Sequence, residues 1–316
     1  MRSTAATTCR ARPFLQSVVI AALLGFTPAI ASAETTCESL ISSFNAAWSR
    51  RDFQAIVGTA KQVIDLPDVC PAKTRADIKR QAALAHLVEA NHLAGAPGTD
   101  AAQLRLLEAG VVFDKPWQLM ERIGDLRQKV PNAGGQIDYK AASLAYQLAL
   151  SDLSDKDRVP NPPPPERIER LLRLAQQTRT LSAGFVAGNV LMTRDVRGVA
   201  VDAVPVPVQF IRDRDEMTDL GRQYAEETLR LLSEQGRPKI LLVGHTDPDG
   251  SDQYNLELSR RRAQVVKQYL VAQGYPSGAI DVDGKGRREP LRIENAADYT
   301  QPQLYQMLRR VEVKFR

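Results

Sequence analysis

Apolar positions between residues 34 and 155 recur at the spacing of α-helices. Within the segment 74–93, Ile78, Ala82 and Ala85 lie three or four positions apart among charged and small residues. This spacing places the apolar side chains on one face of a helix. The same pattern continues through the rest of the region, which we therefore predict to be all-helical.

Turn-forming residues separate the predicted helices. Residues 95–99 contain two glycines and a proline, and Thr99 is placed to cap the helix that follows. Pro116 suits the first turn of a further helix, because its missing N–H has no partner there in any case. Asp138 opens another helix. A chain of helices joined by short turns is the expected arrangement.

The pattern changes in residues 204–316, where segments with strand character alternate with helical segments. Val204, Val206, Val208 and Phe210 alternate with other residues, which predicts a half-buried strand, and the prolines favour an edge position or a strand start. The further predicted elements are a helix at 216–233, a strand at 239–243, a helix at 251–273, and strands at 280–283 and 311–315. Helices on one side of a mixed sheet predict an α/β sandwich, so the whole chain is expected to be α+β.

The first 33 residues have the features of an export signal. Arginines without acidic neighbours precede an apolar stretch at 14–30, and Ala31-Ser32-Ala33 provides small residues for cleavage. The stretch is shorter than the roughly 20 residues of a spanning helix. We expect cleavage after Ala33, with no membrane span left, and an uncleaved anchor is the alternative. Without the three arginines of the signal, the 42 Lys and Arg become 39, against 37 Asp and Glu. So balanced a chain offers no basic stripe for nucleic acid.

The run of prolines from 160 to 165, interrupted by Asn161, marks a predicted boundary. Proline fixes φ and lacks an N–H donor, which favours a short stiff spacer; use as a docking ligand is the alternative. The expected organisation is a signal (1–33), a helical domain (34–158), a linker (159–165), a helix with a connector (166–203) and an α/β domain (204–316).

Part of the helical domain resembles a tetratricopeptide helix pair. The residues that carry the resemblance are Trp117, Gly124, Asp125 and Leu126, followed by Tyr139, Ala142, Tyr146, Ala149 and Leu150. The small residues in this pattern let helix backbones approach closely. A tetratricopeptide-like stack would offer a concave face to a protein partner, and an irregular helical bundle is the alternative.

Two cysteines, Cys37 and Cys70, remain once the signal is removed. In an oxidising compartment they are expected to form a disulfide. Such a bridge contributes about 2–4 kcal/mol by restricting the unfolded chain. Two free, buried thiols are the alternative.

Residues 244–264 concentrate acids, arginines and a histidine around the end of a predicted strand. The pattern in and around this segment is Ile240-x-x-Val243-Gly244-His245-Thr246-Asp247, Gly250-Ser251, Tyr254-Asn255-x-x-Leu258-Ser259-x-x-Arg262-Ala263-x-x-Val266, Gly284-x-Gly286 and Arg310-Val311-Glu312. It resembles the OmpA-like peptidoglycan-binding domain family over residues 204–316. The resemblance implies a βαβαβ sandwich that binds the diaminopimelate side chain of peptidoglycan without covalent chemistry. It further implies that Asp247 and Arg262 hold that group.

The residue types suit a ligand that carries an ammonium and a carboxylate on one carbon. Asp247 would take the ammonium, and the planar guanidinium of Arg262 would take the carboxylate through a rigid fork of donors. Asn255 and Leu258 share a helix stripe with Arg262 at i, i+3 and i+7 spacing. Thr246 and Tyr254 complete the predicted binding residues. A surface ion pair between Asp247 and Arg262, worth about 0–1 kcal/mol, is the alternative.

Catalysis is not expected from this sequence. It has no Gly-x-Ser-x-Gly elbow, no phosphate-binding loop and no Cys/His pair with a base. His245 with Asp247 lacks a third ligand at a plausible spacing, so neither a metal nor another cofactor is expected. The favoured function is a periplasmic tether at the cell wall or the inner face of the outer membrane, with the helical domain available to an envelope protein. The alternatives are a partner-binding scaffold whose C-terminal domain is mainly structural, and an accessory to a cell-wall enzyme.

Overall fold

The computed structural model of the chain describes residues 36–188, 195–200, 203–211 and 214–316. The predicted signal, residues 1–33, lies outside this part of the chain. Among the described residues, no helix combines the length and the apolar composition needed to cross a membrane. The α+β class predicted from the sequence is confirmed, since a helix-rich region precedes a small mixed sheet with its own helices.

Seven helices form the N-terminal part of the described chain. They are α1 (Cys37–Ser49), α2 (Phe53–Asp65), α3 (Ala72–His92), α4 (Asp100–Gly110), α5 (Trp117–Arg127), α6 (Tyr139–Ser154) and α7 (Pro165–Leu181). Asp52 caps α2 and Asp138 caps α6, each by accepting a hydrogen bond from a backbone N–H in the first turn. Thr99 occupies the predicted N-cap position of α4, but its hydroxyl donates to the carbonyl of Leu93 instead of accepting from a backbone N–H of the helix.

Consecutive helices from α1 to α7 pack against one another along the chain. Gly124 of α5 shows why small residues are needed here. A Cβ atom at this position would lie only 2.6 Å from the ring of Tyr146, which is fully buried on α6. The glycine and tyrosine of the tetratricopeptide-like pattern thus form one close α5–α6 contact, while a repeat architecture for the whole region stays a prediction.

A disulfide joins Cys37, the first residue of α1, to Cys70 in the turn before α3, with 4.9 Å between the Cα atoms. The bridge ties the first helix to the turn between α2 and α3. Cys70 is buried in the apolar core of the helical region.

The C-terminal sheet has four strands in the order β3-β6-β4-β5. They are β3 (Ala203–Val206), β4 (Ile240–His245), β5 (Ile280–Gly286) and β6 (Val311–Phe315). Strand β5 runs parallel to β4, and β6 runs antiparallel to both β3 and β4. β3 is an edge strand, as its prolines predict, but it ends at Val206, well before the predicted end at Phe210. A tight turn from Val206 to Val208 replaces the ladder there.

Two long helices, α8 (Asp219–Glu234) and α9 (Asp252–Ala272), and the short α10 (Gln301–Leu308) complete this region. Helix α9 packs on β4 and β5. Gly244 of β4 lies so close to α9 that a Cβ atom there would be 2.0 Å from the carbonyl oxygen of Ser259. This close approach fixes the separation between the end of β4 and the helix.

Helix α7 connects the two parts of the chain. It begins at Pro165, the last residue of the proline run, and packs along α6. Its Arg179 forms a buried ion pair with Glu227 of α8. A short hairpin, β1 (Asp195–Val196) and β2 (Val199–Ala200), lies within the predicted connector. The predicted domain boundaries stay predictions, and the contacts of α7 show packing on both sides of the proline run.

Candidate functional site

A surface cavity of about 500 Å³ lies where β4 ends, against the N-terminal half of α9 and beside α10. All six residues predicted to bind ligand line this cavity: Thr246, Asp247, Tyr254, Asn255, Leu258 and Arg262. The strand end and the helix flank are held together by the close packing at Gly244. The structure therefore brings the predicted residues to one place, while their role in binding stays a prediction.

Asp247 lies two residues beyond the end of β4, with a side chain that is 15% exposed. The backbone around it is anchored, since the N–H of Thr246 donates to the carbonyl of Gly286 at 3.0 Å. The two carboxylate oxygens of Asp247 have different partners. One accepts from the N–H of Asp249 at 3.2 Å, and the other accepts from Nη1 of Arg309 at 2.7 Å.

Arg262 is buried on α9, with 5% of its surface exposed. Its Nε donates to the carbonyl of Arg214 at 3.2 Å, and its guanidinium carbon lies 5.1 Å from the centre of the Phe210 ring. A cation over an aromatic face is attracted by the ring quadrupole. These contacts fix the plane of the guanidinium at the cavity wall, so little side-chain freedom is left to lose when a ligand binds.

Asn255 and Gly250 shape the loop between Asp247 and α9. The side-chain amide of Asn255, which is buried, donates to the carbonyl of Asp249 at 2.8 Å. Gly250 has a φ of +92°, a conformation that other residues rarely adopt. Asn255 therefore holds the loop in place, and Leu258 adds a buried apolar surface beside it.

Thr246 and Tyr254 differ in exposure. Thr246 is 5% exposed, and its hydroxyl has no hydrogen-bond partner within the described part of the chain. A buried hydroxyl without a partner is costly, so a ligand that hydrogen-bonds to it would gain affinity. Tyr254 is 41% exposed and offers an aromatic surface at the cavity rim.

A buried charged cluster supports the cavity from beneath. Glu312 on β6 lies 3.4 Å from Nε2 of His245 and accepts from Nε of Arg310 at 2.8 Å. Burial alone would raise the pKa of the Glu312 carboxyl, but His245 and the Arg310 guanidinium lower that pKa to about 2. The cluster ties the end of β4 to the start of β6. In the described ranges, no group of three His, Cys, Asp or Glu residues is placed to hold a metal.

One wall of the cavity was not predicted from the sequence. Gln301, Pro302 and Tyr305 of α10 line this wall, and Arg309 follows directly after it. Nothing in the sequence near Arg309 indicates its place in the site. The structure explains that place, because β4 and β6 are antiparallel neighbours, so the residues after β4 lie beside the residues before β6. Phe210, beneath Arg262, was also missed as a site residue.

The cavity thus presents the fixed guanidinium of Arg262 and the carboxylate of Asp247, which is paired with the exposed Arg309. It also presents the buried hydroxyl of Thr246, which has no partner among the described residues, and the ring of Tyr254 at the rim. Such a set of groups can bind a small zwitterion by charge-assisted hydrogen bonds. The acid Asp249 also lines the cavity and adds negative charge near the loop.

Comparisons with known proteins show what this region is similar to. A model of the OmpA family matches residues 209–301. Outer membrane protein A of Bordetella avium is 34% identical over 89 residues, which are 28% of this chain and 46% of that protein. Outer membrane protein A of Shimwellia blattae is 46% identical over 87 residues, 27% of this chain and 36% of that protein. The chain therefore spans less than half the length of these relatives.

The fold comparison gives a solved structure of similar kind. The peptidoglycan-associated lipoprotein of Burkholderia pseudomallei is 22% identical, with 37% of this chain and 92% of that chain covered and a TM-score of 0.30. The family model and the relatives at 34% and 46% identity are what the C-terminal part of this chain is similar to. Most of the residues that line the cavity lie within the segment 209–301 that matches the OmpA family model.

Proposed function

We propose that the C-terminal domain binds peptidoglycan without covalent chemistry and attaches the helical region to the cell wall. The observation that carries this proposal is the meeting of Asp247 and Arg262 in one cavity. Support comes from the OmpA-family match and from relatives that are named as outer membrane proteins. The chain would act in the periplasm, at the wall or the inner face of the outer membrane, as a binding protein and not as an enzyme.

The ligand group would be the free end of diaminopimelate, which carries an ammonium and a carboxylate on one carbon. In this proposal the ammonium contacts Asp247 and the carboxylate contacts Arg262. The guanidinium is already oriented by Phe210 and by the carbonyl of Arg214. A preorganised donor fork favours a carboxylate over a single-point acceptor.

The ion pair between Asp247 and Arg309 does not close the site to an ammonium. A carboxylate has about four lone-pair positions, and the described contacts are one from Asp249 and one from Arg309. Arg309 is 43% exposed, so it can also turn towards water at little cost. The ammonium can therefore join this pair or replace Arg309.

The expected affinity of one site is weak. Charge-assisted hydrogen bonds contribute about 1.5–3 kcal/mol each, and association itself is costly. Two or three such bonds correspond to a Kd of about millimolar to tens of micromolar. Because the wall is one polymer with many identical groups, several copies held close together would be retained far longer than one.

Sedimentation with purified sacculi tests the proposal. We expect the unaltered protein to pellet with sacculi that contain diaminopimelate, and Asp247→Ala and Arg262→Ala to remain in the supernatant. Matched controls are Asp281→Ala and Arg316→Ala, because these residues form an exposed ion pair of 2.7 Å in the same domain outside the cavity. Circular dichroism establishes that each variant is folded.

Equal pelleting of the cavity variants and the controls would refute the assignment of Asp247 and Arg262. If the unaltered protein does not pellet with sacculi, this result would favour the alternative in which the domain is mainly structural. Soluble diaminopimelate in excess should release the bound protein, whereas Nα-acetyllysine amide, whose free ammonium has no carboxylate on the same carbon, should release less.

A protein partner for the helical region is a second proposal. Helices α3, α5 and α7 together line a groove of about 660 Å³, in which Leu87 and Gln118 are flanked by charged residues. Alternate helices line the concave face of a helical-repeat stack in the same way. A photo-crosslinker at the exposed Asn91, in this groove, should capture an envelope protein in cells. The same crosslinker at the exposed Lys140 of α6 should not, and equal capture at both positions would remove the groove from consideration.

A further inference from the structure

Helix α10 presents two different stripes of side chains. Gln301 and Tyr305 lie four residues apart and line the cavity, and Arg309 continues the same stripe. Gln303 and Gln306 lie on another side of this short helix and contact the helical region. One helix therefore forms a wall of the candidate site and a contact surface for the rest of the chain.

The contacts of the second stripe are hydrogen bonds. Nε2 of Gln303 donates to the hydroxyl of Tyr139, at the start of α6, at 2.8 Å. Nε2 of Gln306 donates to the carbonyl of Thr180, near the end of α7, at 2.8 Å. The helix is thus held at two points, by α6 and by α7.

The segment just before α10 is held by α7 as well. The side-chain amide of Gln177 accepts from the N–H of Glu294 at 2.8 Å and donates to its carbonyl at 3.2 Å. The hydroxyl of Tyr299 donates to Oε1 of Gln128 at 2.6 Å. The ion pair of Arg173 with Glu294, at 2.6 Å, adds a charged contact. The term junction is used below for these contacts of residues 294–306 with α6, with α7 and with the turn after α5.

The junction is polar, and burial keeps its tyrosine in the donor form. Burial raises the pKa of Tyr299 to about 12, so the hydroxyl stays protonated at any physiological pH. Polar contacts between parts of a chain resemble transient interfaces, which can separate without exposing a large apolar core. The junction can therefore loosen while both parts stay folded.

We infer that the helical region, through the junction, holds α10 in the position that completes the cavity, so that loosening the junction weakens binding of the cell-wall ligand. The inference rests on the proposed function of the cavity. Arg309 makes the coupling direct, because its N–H donates to the carbonyl of Tyr305 at 3.1 Å and its side chain pairs with Asp247. A shift of α10 moves the wall and the partner of the predicted anion together.

Coupling between two sites is reciprocal. If the junction favours ligand binding, then ligand binding must strengthen the junction by the same factor. A partner that binds the helical region and displaces the junction would then release the protein from the wall. Tyr139 and Gln177 hold α10 and the segment before it in place. They are positioning residues, because neither lines the cavity.

The test uses the full chain and a soluble disaccharide-tripeptide that contains diaminopimelate, with affinity measured by titration calorimetry. Tyr139→Phe removes the hydroxyl that accepts from Gln303, and Gln177→Leu removes the contacts with Glu294. One net hydrogen bond corresponds to about a two- to tenfold change in an equilibrium constant. We expect a loss of affinity of this size for Tyr139→Phe and an equal or larger loss for Gln177→Leu. Tyr269→Phe on α9, outside the cavity lining, is the matched control.

A double-variant cycle separates positioning from a general loss of stability. In a Gln303→Leu background, Tyr139→Phe should change the affinity by no more than about twofold, because the shared hydrogen bond is already absent. Amide hydrogen exchange in α10 should slow when ligand is added to the unaltered protein, and less so in the Gln177→Leu variant.

The outcomes distinguish this inference from the proposed function. If the unaltered protein binds the muropeptide but the junction variants bind it as tightly as Tyr269→Phe does, the coupling is refuted and the binding function stands. An undiminished effect of Tyr139→Phe in the Gln303→Leu background refutes it too. If the unaltered protein does not bind, the proposed function fails and this inference fails with it.

Discussion

Replacement of Gly244 by alanine would test how the cavity is built. In the structure, a Cβ atom at residue 244 would lie 2.0 Å from the carbonyl oxygen of Ser259 and 2.7 Å from its carbonyl carbon. Real Cβ contacts essentially never fall below 3.0 Å, so β4 and α9 must separate by about 1 Å to admit the methyl group. Both clashing groups belong to backbone elements, so no side-chain rotation can relieve the contact.

The expected cost is large for so small a change. Overpacking of a well-packed core costs about 1–3 kcal/mol, and we place Gly244→Ala at the upper end, about 3 kcal/mol, because the backbone itself must move. For a chain of this size, 1 kcal/mol lowers Tm by about 2–4 °C, which gives a decrease of about 6–12 °C. Binding should fall as well. Arg262 lies one helical turn beyond Ser259, and a binding group must be held within about 0.5 Å of its productive position.

The assay is urea and thermal unfolding followed by circular dichroism, together with sedimentation on sacculi. Gly278→Ala is the matched control, because a Cβ atom there meets nothing within 4 Å and the backbone φ is ordinary. A Gly244→Ala variant whose unfolding free energy stays within about 0.5 kcal/mol of this control, the range of neutral surface changes, would refute the close-packing argument. A destabilised variant that still pellets fully at a temperature where it is folded would show that the strand–helix spacing does not set the site.

Three further predictions concern charge and burial. Arg262→Lys should keep the fold but weaken muropeptide binding by roughly tenfold, since a single ammonium cannot replace the donor fork; titration calorimetry measures the change, and affinity equal to that of the unaltered protein would contradict it. The Glu312 pKa of about 2 lies below its ordinary value of 4.5, so the contribution of this carboxylate to stability is present above pH 4.5 and is lost as the pH falls towards 2. Urea unfolding between pH 5 and pH 3 should show this loss, and Glu312→Gln should make the unfolding free energy less dependent on pH. Burial lowers the pKa of His86 below 6.5, so the unfolded chain binds more protons and stability falls as the pH drops below 6.5; His86→Phe, at a position between the rings of Phe53 and Phe113, should remove that dependence in the same assay.

The elements of the C-terminal domain could be predicted because each carries its own periodic pattern. Residues 240–243 are continuously apolar and form the buried β4, and the helix expected at 251–273 matches α9 within a residue or two at each end. The family resemblance supplied what periodicity cannot, namely that a residue after β4 and a residue within α9 share one cavity. The pattern at 204–210 was misleading, since β3 ends at Val206 and is followed by a tight turn to Val208, which alternation alone does not show.

The missed features are those that depend on tertiary contacts between polar residues. The ion pair of Arg309 with Asp247 joins residues 62 positions apart, and nothing local to either residue indicates it. The junction has the same difficulty. Gln177, on a predicted helix, gives the same sequence pattern whether it faces water or another helix, because the periodic signal comes from apolar residues alone. No helix was predicted around Gln303, which lies on the short α10.

Two adjacent arginines show how the same residue type serves two purposes in this domain. Arg310 is 4% exposed and its partner Glu312 is 9% exposed, so breaking that pair would leave a buried charge, which costs about 3–5 kcal/mol. Arg309 is 43% exposed, and its pair with Asp247 can exchange with solvent ions or with a ligand ammonium at little cost. A clamp for a zwitterion needs both kinds of contact. In the proposed clamp, the buried pair would fix the strand ends on which Asp247 is placed, and the exposed pair would keep that carboxylate neutralised until a ligand replaces Arg309. Because Arg309 follows α10 directly, the proposed coupling would make that exchange depend on where the helical region holds α10.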